Sequence, residues 1–317
     1  MTQKDILTVT LNPAVDVSTN VAQVVAGPKL RCGLPRFDPG GGGVNVARTI
    51  CKLGGQTRAL VAVGGSMGDR LLDLLAAEDV ATQPVPVSGE TRQSFAVTDE
   101  STGAQYRFSV PGQELTGQDA DTLIAAITDH TREDGFVIVS GSVAPGLPED
   151  FLQQIITATQ HKTPKVIIDT SGTALDRLIT HPAVPLYLLR IDENEASEAA
   201  HRPLDTIADS VGYAADLVAR GVAEIVIIGR GAEGSVLVGQ EHRLICHPPN
   251  VPVNSKIGAG DAFVGSMTLA MARCEDLPQA LRWGVAAASA TVSTEGTALC
   301  DAQTTHARFD HSEVEDL

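Results

Sequence analysis

The chain has 317 residues, of which 43% are hydrophobic and 20% are charged, and its formal net charge is −16. Such a length and composition fit one large α/β unit with a small appended part and a sizeable core. An acidic chain has no general electrostatic reason to bind nucleic acid or an anionic membrane, so an anionic ligand must be held by a few locally placed basic residues.

We expect a cytoplasmic protein without nucleic-acid or membrane partners. The amino-terminal residues do not read as a secretory leader, and no apolar run reaches the ~20 residues that span a bilayer. The five cysteines are widely spaced and include no CxxC pair. This pattern is typical of reduced thiols rather than of disulfides or a zinc site.

Six short apolar runs, rich in β-branched residues, predict strands that are covered on both faces. In chain order they are residues 6–11, 59–63, 136–139, 165–168, 186–189 and 224–228. Between them, apolar residues recur at helical spacing, for example at Val46, Ile50 and Leu53. Strands that alternate with helices predict an α/β fold with a mainly parallel central sheet, in which ligands bind beyond the carboxyl ends of the strands.

Two segments, residues 15–37 and 90–111, break this rhythm with shorter alternating patterns that are typical of strands. We expect them to pair into a small β lid that covers the site and excludes water during the reaction. The core then comprises residues 1–14, 38–89 and 112–317. The last stretch, from Asp301, is polar, and we expect it to be loosely attached.

Four consecutive glycines, residues 40–43, lead into a predicted helix. Because glycine lets the backbone approach a ligand closely, we interpret Gly41 and Gly42 as a backbone cradle for sugar hydroxyls, with a side-chain contact from Asn45. Arg48 is predicted on the polar face of the same helix. The alternative is a flexible glycine turn, which four successive glycines make entropically costly.

The segment Gly258-Ala259-Gly260-Asp261 precedes a predicted helix over residues 262–273. Free N–H groups and the helix dipole make an anion hole at such a place. The Asp261 carboxylate can accept the proton of an attacking hydroxyl there, or it can serve only as the N-cap of the helix. This short pattern alone is weakly diagnostic.

Asp192 and Glu195 follow the predicted strand 186–189 and share one helix face. Such a pair can organise Mg²⁺ through its water shell, or it can form a capping box, and the sequence leaves both interpretations open. Asp169, at the end of another predicted strand, is a further candidate on the metal side or a turn-initiating residue.

Four basic residues fall in the predicted lid strands, namely Lys29, Arg31, Arg92 and Arg107. An arginine can donate two hydrogen bonds to one phosphate group. Each of the four alone is typical of a surface cation. Their grouping in an acidic protein favours a phosphate clamp.

Several short blocks occur in order over nearly the whole chain, from residue 8 to about residue 300. They are TLNPAVD at 10–16, PGGGGVNVAR at 39–48, GG at 54–55, TRQ at 91–93, SGS at 140–142 and GAGD at 258–261. In this order they resemble the ribokinase-like, or PfkB, carbohydrate kinases. Residues 29–32, 106–108 and 111–112 are similar to the phosphofructokinase branch of that family.

The resemblance implies a ribokinase-like three-layer α/β core with a mainly parallel central sheet, plus a small β-sheet lid that often acts as a dimer clasp, and hence a homodimer. It implies ATP as co-substrate, Mg²⁺ as cofactor and Asp261 as the catalytic base, with an anion hole formed by Gly258, Ala259 and Gly260. The residues that it places around the sugar phosphate are Asp16, Lys29, Arg31, Gly41, Gly42, Asn45, Arg92, Arg107 and Ser142. Those on the nucleotide side are Asp192, Gly229, Gly231, Gly234 and Lys256, with Glu195, Asp192 and Asp169 towards the metal.

The chain departs from the family pattern on the nucleotide side. Arg190-Ile191-Asp192 stands where Lys-Pro-Asn is usual, Gly229 where a serine or threonine is usual, and Lys256 where a threonine is usual. Either the Lys256 cation offsets the added charge of Asp192 by Coulomb attraction, or the nucleotide site has changed its donor preference or its activity.

The leading hypothesis is an ATP- and Mg²⁺-dependent transfer of a phosphoryl group to fructose 6-phosphate, which gives fructose 1,6-bisphosphate. One alternative is a kinase of the same fold that acts on fructose 1-phosphate, tagatose 6-phosphate, or an unphosphorylated sugar or nucleoside. Another is a degenerate kinase that binds a sugar phosphate as a regulatory protein, and the nucleotide-side departures motivate it.

Overall fold

The chain forms a ten-stranded central sheet and a separate four-stranded sheet. The computed structural model describes residues 3–317. The strands are β1 (Ile6–Thr10), β2 (Ala14–Val21), β3 (Arg36–Gly40), β4 (Arg58–Val63), β5 (Thr82–Pro86), β6 (Arg92–Asp99), β7 (Gln105–Ser109), β8 (Phe136–Ser140), β9 (Lys165–Asp169), β10 (Leu186–Asp192), β11 (Ala223–Gly229), β12 (Ser235–Gly239), β13 (Arg243–His247) and β14 (Glu313–Asp316). The helices are α1 (Gly42–Lys52), α2 (Gly65–Ala77), α3 (Gly117–His130), α4 (Phe151–Thr159), α5 (Gly172–Thr180), α6 (Glu193–Ala199), α7 (Ile207–Ala219), α8 (Ala259–Ala272), α9 (Leu277–Val292) and α10 (Ala302–Phe309).

The central sheet runs in the order β14-β13-β12-β11-β10-β9-β8-β1-β4-β5. From β11 to β5 in this order, each strand is parallel to its neighbours, whereas β12, β13 and β14 add an antiparallel edge. All the strands predicted from apolar runs lie in the parallel part, because strands buried on both faces need apolar residues at successive positions. The prediction of an α/β fold with a mainly parallel sheet is confirmed.

Each central strand contributes to two cores, because successive side chains point to opposite faces of the sheet. In β8, Val137 and Val139 pack into a core that is closed by α3 to α7. Ile138, between them, packs into a second core that is closed by α1, α8 and α9. Helices therefore cover the sheet on both sides, and the predicted three-layer arrangement is confirmed.

The carboxyl-terminal stretch is packed onto the core, which corrects the prediction of a loosely attached tail. β14 pairs with β13 at the edge of the central sheet. In α10, Phe309 stacks on Trp283 of α9 with the ring centroids 4.1 Å apart, and His306 packs edge-on against the same indole at 4.8 Å. The stretch is polar because α10 lies on the surface, while a few rings supply its apolar contact.

The four-stranded sheet unites the two segments that are predicted to form a lid, in the order β3-β2-β6-β7. β2 and β6 are parallel, and the other neighbours are antiparallel. Residues 22–35, between β2 and β3, are a loop, so Lys29 and Arg31 do not lie in lid strands as predicted. This loop contains two glycines and two prolines, which disfavour a regular strand ladder.

None of the helices within residues 3–317 combines the length and the apolar character that crossing a membrane requires. The five cysteines are free, and Cys32 and Cys274 are exposed. Burial raises the pKa of the Cys246 and Cys300 thiols, so these two residues act as small apolar parts of the core.

Candidate active site

The predicted catalytic residues meet beyond the carboxyl ends of the parallel strands. Ser140 ends β8, Asp169 ends β9 and Asp192 ends β10. The first turns of α1 and α8 reach the same edge, where Asn45 of α1 contacts Asp261 of α8. Because parallel α/β sheets bind ligands at this edge, the structure assembles a site where the strand pattern predicts one.

The glycine run is tightly packed backbone rather than a flexible turn. Gly41 has a φ of 111°, and a Cβ there would lie 2.8 Å from Cγ2 of Thr10. Gly42 begins α1 and packs against Ser140 and Gly141 at the end of β8. The glycines are thus needed to seat the first turn of α1 against β1 and β8. The N–H groups at the start of that turn have no acceptor within the helix.

Much of the predicted polar face of α1 is buried. Arg48 is 3% exposed because it packs against β3 and the end of α2, where it contacts Pro39 and Glu78. Thr49 is fully buried because it faces Gly265 of α8. A buried arginine must find acceptors within the protein. Arg48 finds one of them in Asn45, whose Oδ1 accepts a hydrogen bond from Nη1 at 3.1 Å.

The GAGD segment forms the first turn of α8, which begins at Ala259 rather than at residue 262 as predicted. Gly258 is its N-cap and has a φ of 74°, a left-handed conformation that favours glycine. The alternative that Asp261 is a simple N-cap is therefore wrong. The N–H groups of this first turn have no acceptor within the helix. That of Ala259 makes a long bond, 3.5 Å, to the carbonyl of Lys256, while those of Gly260 and Asp261 are donors suited to an anion.

The Asp261 carboxylate is held by two hydrogen bonds. It accepts one from Nδ2 of Asn45 at 3.0 Å and one from Oγ of Ser140 at 3.2 Å. Burial, with a smaller contribution from the nearby Asp169 carboxylate, raises the pKa of Asp261 to about 6, although the two hydrogen bonds act to lower it. Asp261 is thus ionised at neutral pH and is a stronger base than an exposed aspartate, as a general base should be.

Two residues at the centre of this site, Ser140 and Arg190, are absent from the sequence-based assignment. Oγ of Ser140 lies 3.3 Å from Oδ2 of Asp169 as well as close to Asp261, so its single proton can bond only one carboxylate at a time. Nη1 of Arg190 lies 3.2 Å from Oδ1 of Asp169. The signal that could have found them is a polar residue near the carboxyl end of an otherwise apolar strand.

The guanidinium of Arg190 lies beside the first turn of α8. A Cβ on Gly260 would be 2.8 Å from its Nη1. Burial alone would lower the pKa of Arg190, but the Asp169 carboxylate raises it above its ordinary value. The site therefore combines a permanent cation with the free N–H groups of a helix, and both attract a phosphate group.

Asp192 and Glu195 form a capping box at the start of α6. Oδ1 of Asp192 accepts from the N–H groups of Asn194 and Glu195, both at 2.9 Å, and Oε2 of Glu195 accepts from the N–H of Asp192 at 2.8 Å. The other oxygen of each carboxylate has no hydrogen-bond donor in the described part of the chain. Burial, together with the Asp192 and Asp169 charges, raises the pKa of Glu195 to about 7, although the hydrogen bond from the Asp192 N–H acts to lower it.

The predicted nucleotide-side glycines lie at the next strand end. Gly229 ends β11 and is the register partner of Asp192. Gly231 and Gly234 flank a tight turn before β12, with φ values of 56° and 114°. Lys256 is exposed and makes no ion pair within residues 3–317, so the structure does not show it offsetting Asp192.

The sugar-phosphate candidates of the lid share one face of the small sheet. Arg92, Ser94 and Ala96 are alternate residues of β6, so their side chains lie on one face. Asp16 is the register partner of Ser94, and Arg107 is the register partner of Ala96, so both lie on that same face. Burial raises the pKa of Asp16 to about 6, although the Arg92 charge lowers it. Burial lowers the pKa of Arg92, and Asp16 opposes that shift.

Ser142 is near this group, whereas Lys29 and Arg31 lie apart from it. Oγ of Ser142 accepts a hydrogen bond from Nδ2 of Asn12 at 3.0 Å, and the Asn12 carbonyl accepts from Arg92 at 3.3 Å. Lys29 and Arg31 are exposed on the loop 22–35. That loop bonds back to the far end of β2 through Thr19 and Asn20. A sugar-phosphate contact of Lys29 and Arg31 stays a prediction.

A sequence profile of the pfkB family carbohydrate kinases matches residues 9–305. The chain belongs to this family. Two proteins named ATP-dependent 6-phosphofructokinase isozyme 2, from Mycobacterium tuberculosis and Escherichia coli, are each 37% identical to this chain. Each alignment covers 93% of this chain, and it covers 86% of the Mycobacterium tuberculosis protein and 94% of the Escherichia coli protein. A 1-phosphofructokinase from Xanthomonas campestris is 30% identical over 84% of this chain and 83% of its own.

Solved structures of a phosphofructokinase and of a ribokinase resemble this one. Phosphofructokinase-2 from Escherichia coli in complex with substrates and products is 36% identical, with a TM-score of 0.91 over 97% of this chain and 99% of that chain. A ribokinase from Arabidopsis thaliana, 19% identical with a TM-score of 0.73 over 97% of this chain and 99% of its own, shares the fold. The predicted family, the ribokinase-like fold and the assignment as a carbohydrate kinase are confirmed.

Proposed function

We propose that this pfkB kinase transfers the γ-phosphoryl group of ATP to a hydroxyl of fructose 6-phosphate, which gives fructose 1,6-bisphosphate and ADP. The observation that carries the proposal is the position of Asp261. Its ionised carboxylate lies in the first turn of α8, a proton acceptor within one turn of a phosphate-binding helix end. The relatives named 6-phosphofructokinase support fructose 6-phosphate as the acceptor.

In the proposed reaction, the acceptor hydroxyl oxygen forms a bond to the γ-phosphorus while its proton passes to the Asp261 carboxylate. The bond from the γ-phosphorus to the bridging oxygen of ADP breaks, and ADP keeps that electron pair. The N–H groups at the start of α8 and the Arg190 guanidinium stabilise the negative charge of the moving phosphoryl group. Positioning and electrostatics of this kind provide most of the acceleration in phosphoryl transfer.

We propose that Asp192 and Glu195 order Mg²⁺ through its water shell. Each keeps one carboxylate oxygen outside the capping box, and carboxylate oxygens are preferred Mg²⁺ ligands. When bound, Mg²⁺ supplies positive charge that offsets the charge of the triphosphate. Oδ1 of Asp169 accepts a hydrogen bond from Arg190, and Oδ2 competes with Asp261 for the single proton of the Ser140 hydroxyl. We therefore assign Asp169 to holding Arg190 rather than to the metal.

The lid strands supply the groups that favour a phosphorylated acceptor. Arg92 and Arg107 point to the same side of the small sheet as Asp16, and arginines suit a phosphate better than a hydroxyl. We propose that residues 15–37 and 90–111 act as the lid over the core. These side chains do not separate fructose 6-phosphate from fructose 1-phosphate or tagatose 6-phosphate.

We propose that two copies associate as a homodimer through the lid. On the face opposite to Asp16, the register aligns Phe37, Val17, Phe95 and Phe108 in one row across the four strands. The three phenylalanines are 37%, 39% and 56% exposed, and such an apolar row is typical of a protein interface.

We also propose a cytoplasmic location. The five cysteines are free and two of them are exposed, which supports this proposal because free thiols are typical of a reducing compartment.

The deciding experiment is a coupled assay with ATP, Mg²⁺ and fructose 6-phosphate, run beside Asp261→Asn. Fructose 1-phosphate, tagatose 6-phosphate and fructose serve as competing acceptors at equal concentration. Turnover that is fastest with fructose 6-phosphate and is lost in the variant supports the proposal. A faster rate with fructose 1-phosphate overturns the choice of acceptor. Tight fructose 6-phosphate binding by calorimetry without turnover supports the regulatory alternative instead.

A further inference from the structure

All three nitrogens of the Arg48 guanidinium donate hydrogen bonds within the protein. Nε and Nη2 donate to the two carboxylate oxygens of Glu78 at 2.9 and 2.7 Å. Nη1 donates to the carbonyl of Pro39 and to Oδ1 of Asn45, both at 3.1 Å. A planar group held by a carboxylate on one edge and by two further acceptors has little freedom to move.

These contacts determine which way the Asn45 amide points. An amide side chain has one acceptor oxygen and a donor NH₂ group, while a guanidinium has donors only. The oxygen of Asn45 must therefore face Arg48, and its nitrogen then faces Asp261, to which it donates at 3.0 Å. If the amide were reversed, its NH₂ group would face the guanidinium and its oxygen would face the carboxylate, and both contacts would be repulsive.

Arg48 also joins the candidate base to the lid. Pro39, whose carbonyl Arg48 binds, lies in β3, and its register partner is Val15 of β2. Glu78 follows the last turn of α2. One buried cation thus contacts a lid strand, the end of α2 and the amide beside Asp261.

We propose that Arg48 is a positioning residue, which fixes the Asn45 side chain in the orientation that donates to Asp261 and couples that orientation to lid strand β3. Only the kinetic test of this inference depends on the proposed kinase function. Arg48 itself touches no reacting atom; it acts through Asn45. The geometry of the amide is a property of the folded chain and can be measured without substrate.

The kinetic test is a double-mutant cycle of Arg48→Met with Asn45→Ala. If Arg48 acts through Asn45, the Arg48→Met substitution in an otherwise wild-type protein lowers kcat about tenfold or more. In the Asn45→Ala background, the same substitution changes kcat less than about twofold. Arg48→Lys, which keeps a donor for Oδ1, recovers part of the loss. Independent effects that multiply in the double variant would overturn the proposal, as would an unchanged kcat in Arg48→Met.

Arg58→Met is the matched control. Arg58 likewise joins a carboxylate, Asp5, and a backbone carbonyl, that of His130, but it bonds neither Asn45 nor Asp261. Its effect on kcat is expected to be equal in the wild type and in Asn45→Ala. Thermal melting of every variant separates loss of fold from loss of positioning. If Arg48→Met does not fold, Glu78→Gln loosens the guanidinium while Arg48 stays in place, and it enters the same cycle.

A substrate-free measurement keeps this inference distinct from the proposed function. In ¹⁵N-labelled protein, the Asn45 side-chain NH₂ signals are those that disappear in Asn45→Ala. We expect them to shift and to exchange with water about tenfold faster in Arg48→Met or Glu78→Gln, and to stay unchanged in Arg58→Met. Unchanged signals in the Arg48 and Glu78 variants would overturn the proposal, even if the protein phosphorylates fructose 6-phosphate as proposed.

Discussion

Arg190 and Gly229 pack so closely that a Cβ on Gly229 would lie 3.1 Å from Nη2 of the arginine. Gly229 is the last residue of β11, and Arg190 lies in the neighbouring strand β10. From β10, the Arg190 side chain reaches towards α8. Two of the departures from the family pattern therefore belong together, because the longer forked side chain at 190 takes the space that a serine at 229 would occupy. We expect Gly229→Ser to displace the guanidinium and to lower kcat/KM for ATP about tenfold.

The matched background for this prediction is Arg190→Lys. An ammonium group has no second nitrogen to meet the serine, so the same Gly229→Ser change is expected to cost less than about threefold there. Steady-state kinetics of the four proteins, with ATP as the varied substrate, measure both steps. Equal losses in the two backgrounds would show that Arg190 and Gly229 are not coupled.

Asp261→Asn is expected to lower kcat by about 10²–10⁴-fold, the usual contribution of a general base. Asparagine keeps the size of the side chain but cannot take the proton of the acceptor hydroxyl. Calorimetry is expected to show fructose 6-phosphate binding within a few-fold of the wild type. Asp119→Asn, at the start of α3, is the control and should leave kcat unchanged. A variant that retains a tenth of the wild-type kcat would remove Asp261 from the role of base.

The pH dependence of the reaction should report the same carboxylate. Because burial raises the pKa of Asp261 to about 6, the ionised form is lost as the pH falls below that value. We expect kcat/KM for fructose 6-phosphate to decline about tenfold per pH unit below pH 6. Asp261→Asn, measured in parallel, should lose the part of this limb that Asp261 causes and keep only a part that comes from Asp16 or Glu195, whose pKa values are raised to about 6 and about 7. A wild-type profile that stays flat down to pH 4.5 would contradict the assignment.

The strands of the parallel part could be predicted from the sequence, but their order in the sheet and the contacts of the site could not. Continuous apolar runs indicate strands buried on both faces, and the GAGD block placed Asp261 at a helix start. The pairing of Arg190 with Asp169 depends on β9 and β10 being neighbours in the sheet, which no local pattern encodes. A polar helical stripe usually faces solvent, so nothing local in α1 indicates that Arg48 is buried against β3 and the end of α2.

Protein stability should also depend on the Asp261 carboxyl. Its pKa is raised from 3.8 to about 6 in the folded protein, chiefly by burial. The folded state then binds the proton more tightly than the unfolded chain, so the stability that this group contributes is lost as the pH rises from about 4 to about 6. We therefore compare the free energy of unfolding of Asp261→Asn with that of the wild type. As the pH rises from 4 to 7.5, this difference is expected to move by about 1–3 kcal/mol in favour of the variant.

Urea unfolding at several pH values measures this gain, and Asp119→Asn is again the control. Burial acts to raise the pKa of Asp119, but hydrogen bonds from Ser88 and Thr116 hold it below the ordinary value. Its contribution is therefore lost only as the pH falls below about 4. The stability difference between Asp119→Asn and wild type should stay level from pH 4.5 to 7.5. A level difference for Asp261→Asn as well would show that its pKa is not raised.

The apolar row of the lid makes a prediction about assembly. Phe95 of β6 and Phe108 of the edge strand β7 are register partners on the exposed face, so a charge there would be buried unpaired in an interface between two copies. We expect the wild type to be a dimer by light scattering and Phe108→Asp to be a monomer at the same concentration. Leu317→Asp changes an equally exposed apolar residue outside the lid and should leave the dimer intact. A wild type that is monomeric at micromolar concentration, or a Phe108→Asp variant that stays dimeric, would show that the row is not the interface.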